Sequence, residues 1–140
     1  EIACQLNHRF AAVASFAGTM PVDPETCELV GGMGVLHIHG KLDYIIDYDD
    51  DWDWKDGEHE GVGTMSNVPG MIEAWSMRAN CGSSDTDADF FLEHITHSDC
   101  FGGARVEHYG IELWEHTWPD EVDGTPTYQL MWDFLSDFTN

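Results

Sequence analysis

The chain has 140 residues and a formal net charge of -22, from 27 acidic and five basic side chains. The length suits one domain with a modest core, and an apolar fraction of 42% with six tryptophans indicates a folded protein. The charge argues against partners such as nucleic acid or an anionic membrane, because phosphate contacts require Lys and Arg. Such a surface is typical of a halophilic, strongly hydrated protein; the alternative is that part of the acid binds cations.

The first half of the chain predicts the end of a helix followed by two strands. Glu1 to Asn7 has apolar residues at helical spacing, and Phe10 to Phe16 is small and apolar, as in a strand covered on both faces. After a loop from Thr19 to Gly32, β-branched and apolar residues predict a buried strand from Gly34 to His39. Asp43 follows this strand, and a carboxylate just beyond a strand end is where open α/β sheets place reactive groups.

The second half predicts an acidic loop insertion at about residues 47–63, then further helices and strands. Asn67 is expected to cap a helix that runs to about Asn80. The remaining expected elements are a polar loop from Ser83 to Asp89, an edge strand from Phe90 to Thr96, a strand from Ala104 to Leu113 with a bulge at Gly110, and a helix capped by Thr125 whose Tyr128, Met131, Trp132 and Leu135 face inward. Helices alternating with strands predict an α/β fold, with a parallel sheet covered on both faces.

Four cysteines are spread along the chain without a C-x-x-C pair, which argues against a zinc ribbon or a thioredoxin-like site. Of the three possible pairings, the simplest joins Cys4 to Cys27 and Cys81 to Cys100. Disulfides would imply an oxidising compartment and hence a secreted protein, extracellular or periplasmic, whereas four reduced core cysteines are the alternative.

Five segments carry motifs in a recognisable order. They are R-F-A-A-V-A-S-F-A-G at Arg9 to Gly18, L-H-I-H-G-K-L-D at Leu36 to Asp43, V-P-G-M-I-E-A-W at Val68 to Trp75 followed by Asn80 and Cys81, H-T-W-P at His116 to Pro119, and M-W-D-F-L at Met131 to Leu135. Together they resemble secreted esterases of the poly(3-hydroxybutyrate) depolymerase and feruloyl esterase type. The resemblance implies that residues 1–140 are a single partial α/β-hydrolase domain, the C-terminal portion, beginning inside the helix after the nucleophile elbow.

The resemblance also implies a catalytic chemistry. Asp43 would be the acid and His116 the general base of a Ser-His-Asp triad that acts through an acyl-enzyme. The nucleophile motif G-x-S-x-G is absent, so we expect the serine upstream and expect these 140 residues alone to be inactive. The chain departs from the family at Leu113 to Glu115, where the family has a glycine-rich run, and in the acidity of Asp49 to Glu60.

The partner implied by the resemblance is an ester, either a polymer such as a polyhydroxyalkanoate, a feruloylated sugar or a small ester. Trp118, Trp52 and Trp54 are the candidate substrate-binding residues, since exposed aromatic rings suit an aromatic or polymeric substrate. We expect neither a cofactor nor a bound metal, and the sequence leaves the oligomeric state open.

Metal binding is the rival class of function. The candidate zinc ligands are the pairs His37 with His39 and His94 with His97, but neither pair has a third ligand nearby in sequence. Asp49, Asp51, Asp53 and Glu60 match positions 1, 3, 5 and 12 of an EF-hand loop, although Trp54 stands where that loop needs Gly. A non-catalytic acidic domain that binds calcium is therefore the alternative function.

Overall fold

The structure, a computed structural model, describes residues 2–22, 27, 32–53 and 63–138. The helices of this part are α1 (Ile2–Gln5), α2 (Val68–Arg78) and α3 (Thr127–Ser136), with a 3-10 turn at Phe101–Gly103. The strands are β1 (Ala12–Phe16), β2 (Gly34–Gly40), β3 (Trp52–Asp53), β4 (Thr64–Met65), β5 (Ser83–Ala88), β6 (Leu92–Ser98), β7 (Val106–Ile111), β8 (Glu121–Val122) and β9 (Thr125–Pro126). Five strands form the main sheet, in the order β1-β2-β7-β6-β5, and β3-β4 and β8-β9 form two small sheets.

The main sheet is mixed, and the expected α/β-hydrolase fold class is therefore wrong. β1, β2 and β7 run parallel, but β6 and β5 are antiparallel to their neighbours, as are both small sheets. With 23% helix and 34% strand, the chain also has fewer helices than a parallel sheet covered on both faces requires. The physical reason is the hairpin of β5 and β6, which reverses the chain direction where a crossover helix would have kept it.

That hairpin also corrects two predicted elements. Ser83 to Asp89 was expected to be a loop, but β5 forms there with every residue exposed, because its backbone pairs with β6. The expected edge strand from Phe90 to Thr96 is instead the interior strand β6. The expected bulge at Gly110 is absent from β7, whose register continues unbroken from Tyr109 to Ile111.

The core lies on both faces of β2, because alternate side chains of a strand point in opposite directions. Leu36 and Ile38 belong to a cluster that includes Phe134 of α3, whereas Val35 joins a second cluster with Ile72 of α2. The predicted cap of α2 is confirmed, since the side chain of Asn67 accepts a hydrogen bond from the N–H of Gly70 at 2.7 Å.

The inward stripe of α3 differs from the expected one. Tyr128 and Trp132 are 70% and 65% exposed, while Phe134 is buried and Leu135 packs against the same cluster. Large aromatic residues at helical spacing therefore identified the helix but not the face that packs on β1 and β2.

Both expected disulfides are present. Cys4 is bonded to Cys27, and Cys81, just after α2, is bonded to Cys100 ahead of β7. Two such bonds are consistent with an oxidising compartment. Among the described residues, none of the helices is long and apolar enough to cross a membrane.

Candidate active site

The candidate site lies at the carboxyl ends of the three parallel strands. Asp43 follows β2, His116 follows β7, and Phe16 is the last residue of β1. Because the carboxyl ends of parallel neighbours meet at one edge of a sheet, the loops after β2 and β7 lie side by side. The strand order, with β2 between β1 and β7, puts Asp43 in the middle of this edge.

Gly40 allows the two loops to touch. A Cβ atom on Gly40 would lie 2.7 Å from the carbonyl carbon of Trp114 and 2.8 Å from the carbonyl oxygen of Glu115. The N–H of Leu42 donates to the carbonyl of Trp114 at 2.9 Å, which ties the two loops together. The backbone that carries His116 therefore rests directly on the last residue of β2, and only glycine leaves room for it.

Asp43 and His116 form a hydrogen-bonded pair. Nδ1 of His116 lies 2.7 Å from Oδ2 of Asp43, whose side chain is fully buried, while the His116 side chain is 32% exposed. The other carboxylate oxygen, Oδ1, accepts from the N–H groups of Ile45 and Ile46, both at 2.9 Å. Burial opposes ionisation, but the hydrogen bonds from Ile46, His116 and Ile45 hold the pKa of Asp43 below its ordinary value. The carboxylate is therefore charged at neutral pH.

The geometry fixes which nitrogen of His116 can act as a base. An ionised Asp43 can only accept a hydrogen bond, so Nδ1 carries the proton in the neutral ring and Nε2 carries the lone pair. Within the described part of the chain, Nε2 has no hydrogen-bond partner. This is the tautomer that a general base of a hydrolytic triad requires. None of the seven serines, all in described segments, is hydrogen-bonded to His116.

Aromatic rings line one side of His116. The Phe16 ring lies 6.4 Å from the His116 ring, and Trp118 meets Phe16 edge-on at 5.5 Å, with 51% of its surface exposed. Of the three predicted substrate-binding tryptophans, Trp118 is thus next to the pair. Trp52 lies in the separate small sheet of β3 and β4, and Trp54 lies outside the described residues.

His39, which the sequence analysis named only as a candidate zinc ligand, belongs to this site. Its Nε2 lies 3.1 Å from the carbonyl oxygen of Ile46 and 3.2 Å from Oδ2 of Asp43. Burial lowers the pKa of His39 despite the hydrogen bond to Ile46 and the charge of Asp43, so the ring is neutral. The available signal was the motif itself, since H-G-x-x-D places a histidine four residues ahead of the acid at the strand end.

The proposed zinc pair His37 and His39 belongs to a hydrogen-bonded network in the core. The two rings share one face of β2, 5.2 Å apart, as expected. Nδ1 of His37, however, faces Nδ1 of His108 at 3.2 Å, and Nε2 of His108 is 2.9 Å from the hydroxyl of Tyr48. Burial is the main cause that lowers the pKa of both imidazoles, that of His108 to about 3.

The second proposed zinc pair is separated by β6. His94 contacts Glu107 at 3.2 Å and stacks on Tyr109, on the face of the sheet that α3 covers. His97, three residues on, lines a cavity together with His108 on the opposite face. An i, i+3 pair cannot share one side of a strand, because side chains alternate with a period of two.

Two carboxylates of the acidic loop accept hydrogen bonds from β4 and from the residue that caps α2. Asp51 accepts hydrogen bonds from the backbone and side-chain N–H groups of Asn67, each at 2.7 Å, and Asp53 accepts from the hydroxyl of Thr64 at 2.7 Å. Glu60, the twelfth position of the expected calcium loop, lies outside the described residues. In the segments that the structure describes, no three His, Cys, Asp or Glu side chains converge as metal ligands.

Comparison of the chain with protein-family models, with curated proteins and with solved structures finds no match. The assignment of roles to Asp43 and His116 therefore depends on the geometry of the pair and on the motifs of the sequence.

Proposed function

We propose that the protein is a serine esterase in which Asp43 orients His116 and His116 is the general base. The observation that supports this most strongly is the 2.7 Å contact between Nδ1 of His116 and a fully buried carboxylate oxygen of Asp43. Burying a charged carboxylate costs free energy unless it is hydrogen-bonded, and here two backbone N–H groups bind the Asp43 carboxylate in addition to His116. We would not expect this arrangement for a surface aspartate and a purely structural histidine.

The proposed reaction is acyl transfer in two steps. Nε2 of His116 takes the proton of a serine hydroxyl as the serine oxygen attacks the carbonyl carbon of a carboxylic ester, and the protonated ring then gives that proton to the departing alcohol. In the second step, a water molecule attacks the acyl-serine, with Nε2 again accepting and returning the proton. Asp43 stays ionised throughout and stabilises the imidazolium, which its lowered pKa favours.

The nucleophile is the missing part of the proposal. We expect a serine in a G-x-S-x-G segment encoded upstream of Glu1, because the order Ser, Asp, His is the one found with this motif. The half-exposed ring of Trp118, packed edge-on against the partly buried Phe16 that neighbours the base, favours an ester with an apolar or aromatic group. The two disulfides support a secreted enzyme.

The test is hydrolysis of a 4-nitrophenyl ester by the protein extended to include that upstream segment. His116→Ala should abolish most of the turnover, and Asp43→Asn should lower kcat by up to ~10⁴, because the amide favours the wrong imidazole tautomer. His8→Ala, at an exposed histidine, is the matched control and should leave turnover unchanged. Absence of a serine motif upstream, or full activity in His116→Ala, would refute the esterase proposal.

A further inference from the structure

His39 lies under the loop that carries Asp43, and we infer that it is a positioning residue for Asp43. This inference rests on the proposed function, in which the orientation of the Asp43 carboxylate decides the orientation of His116. The hydrogen-bond partners of His39 lie on the loop from Gly40 to Ile46, and His39 acts on His116 through that loop.

The position of the single proton on the neutral His39 ring follows from its contacts. Nε2 faces two acceptors, the carbonyl oxygen of Ile46 at 3.1 Å and Oδ2 of Asp43 at 3.2 Å. A bare lone pair there would repel both oxygens, so Nε2 carries the proton. Nδ1 is buried and, among the described residues, has no partner, and a proton on it would be a buried donor left unsatisfied. The neutral ring with its proton on Nε2 avoids both the lone-pair repulsion and the unsatisfied buried donor.

This one N–H group stabilises the Asp43 carboxylate in two ways. It donates to the carbonyl of Ile46, which fixes the peptide segment whose N–H groups, at Ile45 and Ile46, hold Oδ1 of Asp43. It also places the positive end of its dipole 3.2 Å from Oδ2, the oxygen that accepts from His116. Both carboxylate oxygens are thereby fixed, and a triad needs its orienting group held within about 0.5 Å.

The ring of His39 is itself held by its neighbours. The ring of His37 lies 5.2 Å away and that of Tyr48 5.8 Å away, edge-on. His39 is fully buried between them, so the ring has little freedom to turn its N–H away from the loop. A side chain of similar size that cannot donate would fill the space but release the loop.

Nitrogen-15 NMR of His39 in the unmodified 140-residue chain is the first test, since it needs no variant. We expect a neutral ring protonated on Nε2 at pH 7. A ring protonated on Nδ1 alone would overturn the inference, because it has no Nε2–H to donate to the loop. A cationic ring at pH 7 would also overturn it, because its buried Nδ1–H would then need a partner.

The second test compares His39→Leu with His39→Gln, whose amide nitrogen reaches close to the position of Nε2. His39→Leu should raise the pKa of the Asp43 carboxyl, followed by carbon-13 NMR, and should broaden or abolish the Nδ1 proton signal of His116. His39→Gln should restore both. A wild-type Asp43 titration and an unchanged His116 proton in His39→Leu would refute the inference.

Neither NMR readout depends on turnover, so a failure of the esterase proposal can be told apart from a failure of this one. In the extended, active protein, His39→Leu should lower kcat by up to ~10²-fold with little change in KM, because a misplaced orienting group acts on the chemical step. An unchanged kcat would contradict the positioning role even if the esterase proposal holds.

Discussion

Replacing Gly40 with Ala should separate His116 from Asp43 without disturbing the rest of β2. The glycine is the last residue of the strand, and the backbone of Trp114 and Glu115 lies directly against it. An added methyl group at this position therefore pushes on the loop that carries His116, and through the carbonyl of Trp114 also on Leu42, which is hydrogen-bonded to that carbonyl.

The contacts of Gly40 with Trp114 set the distance by which the loop that carries His116 must move. The new Cβ would clash with the carbonyl oxygen of Trp114, its closest contact, and would sit 2.7 Å from the carbonyl carbon, where ordinary contacts begin at 3.4 Å, so the loop must move by at least about 0.7 Å. A shift of that size directed away from Asp43 would lengthen the 2.7 Å contact between His116 and Asp43 to about 3.4 Å, beyond a strong hydrogen bond. Overpacking of this kind costs about 1–3 kcal/mol of folding free energy.

The assay is proton NMR of His116 Nδ1–H together with thermal unfolding. Gly40→Ala should lose or broaden the downfield Nδ1 proton signal and lower the melting temperature. Gly82→Ala is the matched control, because a Cβ there would meet Asp99 at an ordinary 3.6 Å. A Gly40→Ala protein with an unchanged Nδ1 proton signal and melting temperature would refute the claim that the two loops are in close contact at Gly40.

Three further predictions concern stability. Replacing Cys81 and Cys100 with Ser should lower the free energy of unfolding by about 3 kcal/mol in urea titrations, because the bond no longer restricts the unfolded chain; a loss near zero would contradict this. Burial lowers the pKa of His37 and that of His108, the latter to about 3, so the unfolded chain binds protons that the folded chain does not. Stability should therefore fall as pH drops below about 6.5, and His108 should contribute about 1.4 kcal/mol per pH unit down to about pH 3. His108→Gln should flatten that slope in melting curves and His8→Gln should not; equal slopes in both would refute the assignment. Melting temperature should rise from low to molar sodium chloride, since salt screens repulsion within a net charge of -22, and a flat curve would mean that the acids are already paired with cations.

The parts of the fold that the sequence predicted are those with a strong local signal. The strand at β2 contains the β-branched residues Val35 and Ile38 together with Leu36 and is buried along its whole length, so composition alone identified it. The helix α2 has Asn67 and an early proline to mark its start. In both cases the boundary is also visible in the sequence, as glycines at the ends of β2 and as Asn67 ahead of α2.

The fold class could not be predicted because strand direction leaves no local signal. Ser83 to Ala88 is polar and exposed, and it is a strand only because β6 lies beside it. The antiparallel hairpin so formed makes the sheet mixed, whereas alternation of helices and strands had indicated parallel strands.

For the candidate site, the sequence indicated which residues to consider but not how they contact one another. Asp43 and His116 are 73 residues apart and meet because β2 and β7 are parallel neighbours, a pairing that only the resemblance to esterases suggested. The role of His108 was missed for the same reason: the register that aligns it with His37 is a property of the sheet. The pair His37 and His39 resembled metal ligands because their spacing shows that they share one face of the strand. The spacing does not show that neighbouring residues already contact ring nitrogens of both side chains.

The most direct test of the central claim is nitrogen-15 NMR of His116 in the neutral form of its ring. We expect the proton on Nδ1, donated to Asp43, and a bare Nε2 able to accept a proton from a serine; Asp43→Ala should remove this preference. A wild-type His116 with its proton on Nε2 would contradict the account, because that nitrogen could not act as the base.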